Sequence, residues 1–235
     1  MGKIRTNSGV LKFRMIPLFL GVKVIDREKS TENLLLLKSV LDQAQIRFML
    51  IAGTLLGAVR EKDFIAHDED VDLAFLAEDK ERVLDLLPTI VEAGFTIARY
   101  NRRGVLSVMR QGEYIDLYFF DRYDADIRTC DGWLILDRFF ADTAPLEFKG
   151  TSFLAPRDTE EYLLFEYGAN WRTPIVWNNY TMPRWKVWML KGKEYVKEWL
   201  PDWLYFRLAR KAQQRNEAQS MQRVQRYFSY KQNSN

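Results

Sequence analysis

The sequence predicts a mixed α/β (α+β) domain followed by a helical C-terminal part. Short apolar runs bounded by turn residues alternate with longer helical patterns between Ser30 and Pro174. A small-residue turn leads into an acidic strand pattern, "FIAHDEDVDLAFL". Beyond Pro174 the chain is rich in Trp, Tyr and Lys and ends in a polar, basic stretch that reads as a helix or a frayed tail. The chain therefore divides into a basic and apolar N-terminal segment (1–29), a core (30–174) and an aromatic, basic C-terminal part (175–235).

The elements follow in order. "KSTENLLLLKSVLDQAQ" is helical, with Ser30 or Thr31 as cap and Leu34, Leu37, Val40 and Leu41 on one face. "IRFMLIAG" (Ile46 to Gly53) reads as a short buried strand, "TLLGAVR" as a helix starting at Thr54, and "FIAHDEDVDLAFL" as a second strand. "DKERVLDLLPTIVEAG" is a helix capped by Asp79, bent at Pro88 and stopped at Gly94. "FTIARY", "GVLSVMRQ", "YIDLYFF" and "GWLILD" are strands, with turns at "NRRG" and "RQGE". In "PRDTEEYLLFEYG", Asp158 to Glu161 fits a capping box and Gly168 a helix stop.

Composition excludes several classes. The 235 residues are 47% apolar, enough for a sizeable core. One cysteine, Cys130, rules out a disulfide framework and points to a reducing compartment, here the cytoplasm. One histidine, His67, rules out a multi-histidine metal site. A net charge of +3 implies no global polyanion binding. The C-terminal charge run reads as a solvated face, so no nucleic-acid partner is expected. The apolar run Met15 to Ile25 contains Lys23 and is too short to span a membrane. It follows four basic residues, as in a signal peptide, without a small-residue cleavage site. An interfacial segment and a core element both remain open for it. Trp185, Trp188, Trp199 and Trp203 lie near Lys186, Lys191, Lys193 and Arg207. Their ordinary reading is the core of the C-terminal helices; the alternative is a lipid surface.

Four acids occupy five positions between Asp68 and Asp72. In a strand, Asp68, Asp70 and Asp72 would share one face about 7 Å apart, with Val71, Leu73 and Phe75 on the other. Burying such a row unpaired costs several kcal/mol per carboxylate, and a hard divalent cation removes that cost. Oxygen ligands without a Cys suit Mg²⁺ or Mn²⁺. Asp116, alone in the apolar "YIDLYFF", is the third candidate ligand; paired near Asp70 and Asp72 it would hold two metals for an in-line displacement at phosphorus. In "AGT" a helix N-terminus with Gly53 and the Thr54 hydroxyl would receive phosphate. The bland readings are a solvated acidic turn, glycines for tight packing and a structural Asp116.

"GTLLGAVREKDFIAHDEDVDL" closely resembles the signature of the LicD family, the phosphocholine-transferase-like proteins that include the fukutin-related ribitol-phosphate transferases. "YIDLYFFD" and "PLEFKGTSFLAPRDTEEYLLFEYGANWRTP" resemble the family's later blocks. The resemblance covers Leu34 to Pro174. It implies a nucleotidyltransferase fold of the polymerase-β kind, with Gly53 and Thr54 as the phosphate turn. It also implies Asp70, Asp72 and Asp116 as the catalytic and metal-binding carboxylates, and Arg60 and Lys62 as phosphate-neutralising residues. The family's Pro-Trp is Ala66-His67 here, and its middle Asp is Glu69. His67 reads as a packing or base-stacking residue. The resemblance implies a CDP-linked donor, a glycan acceptor carried on a lipid, release of CMP, and docking on the inner face of the cell membrane. Nucleotidyl transfer from a nucleoside triphosphate and a non-enzymatic membrane scaffold are the competing expectations.

Overall fold

The computed structural model describes residues 2–7, 9–16, 24–174 and 200–233, with isolated positions between 183 and 196. A seven-strand mixed sheet forms the body. Its strands in chain order are β3 (Met49–Leu50), β4 (Val71–Leu76), β5 (Thr96–Asn101), β6 (Val105–Arg110), β7 (Glu113–Arg122), β10 (Thr143–Phe148) and β11 (Thr151–Pro156). Their spatial order is β10-β11-β3-β4-β7-β6-β5, and β8 (Ile127–Cys130) with β9 (Trp133–Leu136) extends one end of β7 as a hairpin. The central pair, β4 and β7, is parallel. Leu73, Phe75, Leu117 and Phe119 are buried on one face of that pair and Ala74 and Phe120 on the other, so both strands are covered on both faces, as their largely apolar sequences require.

Helix α1 (Arg27–Gln43) starts earlier than its hydroxyl pair suggested. Asp26 caps it, accepting from the Lys29 N–H at 3.2 Å. Ser30 and Thr31 lie inside the first turn, where their hydroxyls donate to Glu113 and to the Arg27 carbonyl. Helix α2 (Ala52–Arg60) begins two residues before Thr54, which shortens the preceding strand to Met49–Leu50. Ala52 takes a positive φ of 49°, and its N–H donates to the Tyr162 hydroxyl at 3.3 Å.

The acidic strand is shorter than its alternation implied. β4 begins at Val71, and 64–70 approach it irregularly. The Asp68 carboxylate accepts from the Glu69 N–H at 3.1 Å, a local bond that competes with the strand ladder. Helices α3 (Lys80–Asp85) and α4 (Leu87–Glu92) break at Leu86, with Pro88 in the first turn of α4, and Gly94 ends the pair at φ +94°. Asp79 gives no backbone cap; its carboxylate pairs with Arg82 instead.

Helix α5 (Arg138–Ala141) leads to the β10–β11 hairpin, for which the sequence patterns give no strand. Pro145 masks β10, and proline is tolerated there because β10 is an edge strand. Helix α6 (Thr159–Tyr167) is capped by Asp158, which accepts from the Glu161 N–H at 3.0 Å, and ends at Gly168 with φ +85°. The Glu161 side chain does not close the capping box, because it accepts from the Tyr227 hydroxyl.

The N-terminal segment joins the core through a hairpin, β1 (Gly2–Thr6) with β2 (Gly9–Phe13), and Ile4, Phe13, Met15 and Ile25 are buried. Residues 17–23 of the apolar run lie outside the described residues.

Helix α7 (Asp202–Asn233) packs on α6 and β9, burying Tyr205, Val224 and Tyr227. Its backbone approaches so closely that a Cβ on Gly132 would stand 2.6 Å from the Gln213 carbonyl oxygen. Trp185, Trp188 and Trp203 are 68%, 77% and 67% exposed. They are not core residues. Trp199 lies outside the described residues. Among the described residues no helix is long and apolar enough to cross a membrane.

Candidate active site

A polar rung crosses four strands of the sheet. In β4 and β7, Asp72 stands opposite Asp116. Asp116 stands opposite Ser107 of β6, and Ser107 opposite Arg99 of β5. Residues directly opposite share a face, so the four side chains converge. Arg99 reaches this face only because β5 bulges: Ile97 pairs with Val108 and Arg99 with Ser107, leaving Ala98 as the extra residue. Without the bulge, alternation would send Arg99 to the face of Ile97. The carbonyl of Ala98 accepts from Ile16 N–H at 2.7 Å, so the N-terminal segment satisfies the backbone at the bulge.

Asp70, at the entry to β4, completes the cluster. One carboxylate oxygen from each of Asp70, Asp72 and Asp116 lies within 4.8 Å of the others. Asp72 and Asp116 are 7% and 2% exposed. Asp116 is held by three donors: Arg99 at 2.7 Å, the Ser107 hydroxyl, and the Tyr118 hydroxyl at 3.3 Å. Among the described residues no cation pairs directly with Asp70 or Asp72, and Arg99 offsets only part of the charge on Asp70. Burial first, then the neighbouring carboxylates, pushes both well above the usual carboxylate range. Such a cluster attracts positive charge. Three carboxylate oxygens without sulfur or imidazole suit a hard divalent cation such as Mg²⁺ or Mn²⁺.

Asp68 departs from the row expected of it. It packs against α2, where a Cβ on Gly53 would fall 2.4 Å from its Oδ2. Burial raises its pKa to about 6, and its Oδ2 is buried without a hydrogen-bond partner. Gly53 thus makes room for the Asp68 carboxylate beside the first turn of α2.

Thr54 is fully buried, and its hydroxyl accepts the Asp72 N–H at 2.9 Å. It fastens the acidic strand to α2 and does not face an open phosphate site. Arg60 and Lys62 sit at and beyond the far end of α2, about 10 Å along the helix axis from Gly53. Arg60 donates to the Trp171 carbonyl at 3.2 Å and pairs with Glu61 at 2.8 Å, so it ties α2 to the segment after α6. Lys62 is exposed. The structure brings Asp70, Asp72 and Asp116 together, sets Gly53 against Asp68 and leaves Arg60 and Lys62 apart. His67 is exposed in the turn before Asp68 and is not a packing residue. Arg99, Ser107 and Tyr118 escaped the sequence reading. An arginine and a serine inside the apolar patterns "FTIARY" and "GVLSVMRQ" were the available signals, and only strand register joins them to Asp116.

A mixed sheet carrying clustered carboxylates beside a glycine-bearing helix start is the layout of a nucleotidyltransferase-type domain. Residues 45–158 match the family described as LicD/FKTN/FKRP, nucleotidyltransferase domain. This stretch of the chain belongs to that family. Ribitol 5-phosphate transferase FKRP of Mus musculus and that of Homo sapiens are each 29% identical over 145 residues, 55% of this chain and 29% of theirs. An uncharacterized protein of Rickettsia prowazekii is 34% identical over 59 residues, 25% of this chain and 22% of its own length. The matched stretches therefore span less than a third of these relatives. Among solved structures, the antibiotic-resistance factor ANT(2'')-Ia aligns at a TM-score of 0.46 and 14% identity, covering 88% of this chain and 98% of that one.

Proposed function

We propose that this protein is a metal-dependent transferase. It moves a phospho-alditol or phosphocholine group from a CDP-linked donor to a hydroxyl of a glycan and releases CMP. The carrying observation is the meeting of Asp70, Asp72 and Asp116 within 4.8 Å, on a strand that Thr54 fastens to the first turn of α2. Membership of residues 45–158 in the LicD/FKTN/FKRP family supports a transferase, and two relatives are named ribitol 5-phosphate transferases.

Asp70 and Asp72 are the metal ligands in this reading. A bound Mg²⁺ or Mn²⁺ would supply positive charge to the donor's phosphate oxygens. Arg99, Ser107 and Tyr118 hold Asp116 in place, using three of roughly four acceptor positions of a carboxylate. The remaining position takes the cation or the proton of the attacking hydroxyl, not both. Gly53 admits the Asp68 carboxylate against the start of α2, and a donor diphosphate would have to displace that carboxylate to reach the backbone N–H groups there. Thr54 contributes by fixing Asp72. The acceptor oxygen attacks the distal phosphorus. As that bond forms, the bond from the same phosphorus to the bridging oxygen breaks, and CMP departs with the electron pair.

The acceptor in this reading is a lipid-carried glycan reached from the cytoplasmic face of the membrane. Supporting it are the exposed Trp185, Trp188, Trp203 and Phe206, in a stretch that also carries Arg184, Lys186, Lys191, Lys193 and Arg207. Aromatic and basic side chains together suit an anionic bilayer surface.

The test incubates the protein and Mg²⁺ with CDP-choline, CDP-ribitol or CDP-glycerol and a glycan acceptor, and identifies the nucleotide released. CMP is expected, dependent on Mg²⁺ and lost in Asp70→Asn. Pyrophosphate released from a nucleoside triphosphate, or an Asp70→Asn variant with full activity, would overturn the reading.

A further inference from the structure

A cavity of about 720 Å³ lies between α7 and the core. Ala52, the first residue of α2, and Trp133 line its core side; Gln219, Gln222, Arg223 and Arg226 line the α7 side. The volume falls in the range of small-molecule sites. The cavity is close to the carboxylate cluster. The Trp133 ring packs edge-on against Tyr118, centroids 5.2 Å apart, and the Tyr118 hydroxyl is the one that donates to Asp116.

The charges in the cavity are unequal. Glu166, also on its wall, pairs with Arg223 at 2.5 Å and accepts from the Trp133 indole N–H at 3.3 Å. Arg223 is locked further by donating to the Leu134 carbonyl at 2.7 Å, while its Nε is buried without a partner. One acid is thus matched by one base. Arg226, one turn along the same face of α7, is left over. Among the described residues it forms no hydrogen bond or close ion pair, and its charge acts on Glu166 only from a distance. Its guanidinium stands 3.9 Å from where a Cβ on Gly168 would be, at the cavity wall. The α2 end adds the partial positive charge of a helix start, although the Ala52 N–H itself is taken by the Tyr162 hydroxyl. The pocket therefore carries surplus positive charge together with amides that donate and accept hydrogen bonds.

Resting on the CDP-linked donor proposed above, we infer that α7, which lies outside the matched family domain, builds the wall that binds the phosphate-bearing nucleotide half of the donor. Arg226 is the principal anion contact, and Arg223 is fixed beside it by Glu166. α7 is then part of the substrate site as well as a packing element. Arg226 is exposed, so replacing it leaves the core intact.

The experiment titrates CDP into the full chain with Mg²⁺ by calorimetry and measures thermal melting of each variant. Arg226→Ala is expected to weaken CDP binding about tenfold, the worth of one charge-assisted hydrogen bond, with melting unchanged. Arg226→Lys should recover part of the loss by keeping the charge. Wild-type affinity in Arg226→Ala would overturn the inference alone. A clearly lowered melting temperature in Arg226→Ala would also overturn it, because the arginine would then merely cap α6. A wild-type protein that binds no CDP would remove the donor reading itself, and this inference with it.

Discussion

Replacing Asp72 with Asn isolates the electrostatic cost of the carboxylate cluster. Asn keeps the shape and the backbone N–H that Thr54 accepts, and removes one of three charges that lie within 4.8 Å. At that separation each like-charged pair costs about 3 kcal/mol at an effective dielectric of about 20. Arg99 cancels part of the Asp116 charge, and proton uptake by the cluster limits the rest. The metal-free variant should therefore be more stable than wild type by about 1–3 kcal/mol, a melting shift of about 2–10 °C for a chain of this size. The sign with pH follows from the raised pKa values of Asp70 and Asp72. A carboxyl whose folded pKa is raised stabilises the fold fully below its unfolded pKa of about 4, and loses that contribution as pH rises through the folded value. Asn does not titrate, so the advantage of the variant should grow from pH 5 to pH 8. The assay is thermal melting by circular dichroism in a chelating buffer at both pH values, repeated with excess Mg²⁺. Wild type should gain stability with the logarithm of metal excess, and the variant should gain far less. A variant that melts below wild type without metal, or gains as much from Mg²⁺, would refute the reasoning.

Arg99→Ala leaves Asp116 with two neutral donors and no cation. Because Arg99 is about one-third exposed, the expected loss is about 1–3 kcal/mol, at the low side of a broken buried pair, and chemical denaturation measures it. Gly57→Ala would put a Cβ 2.5 Å from the Asp63 carbonyl oxygen; backbone cannot yield as a side chain does, so about 1–3 kcal/mol should be lost in the same experiment. Trp185→Ala combined with Trp188→Ala should reduce sedimentation with vesicles containing anionic lipid, and unchanged pelleting would remove the membrane surface from the proposal.

Much of the site was legible because it is written locally. Asp70 and Asp72 fall in one short acidic stretch, and Asp116 interrupts an apolar strand, so each attracts notice by itself. The β10–β11 hairpin was hidden by Pro145, since local proline chemistry does not tell an edge strand from a loop. The start of α1 was misplaced because Ser30 and Thr31 are good caps locally, while Glu113, distant in sequence, takes the Ser30 hydroxyl.

Hydrophobic alternation and turn chemistry determined by themselves the mixed α/β class, the run of central strands, the capped start of α6 and the three acids that meet in the cluster. These are short-range properties, fixed within a few residues by backbone sterics and burial. Tertiary structure alone decided that Asp72, Asp116, Ser107 and Arg99 form one rung, that Thr54 turns inward, that Arg60 is committed to Trp171, and that α7 closes a cavity against α2. Each of those depends on register between distant strands, on one bulge at Ala98 or on the approach of a helix over Gly132, and such long-range pairings carry no local signature.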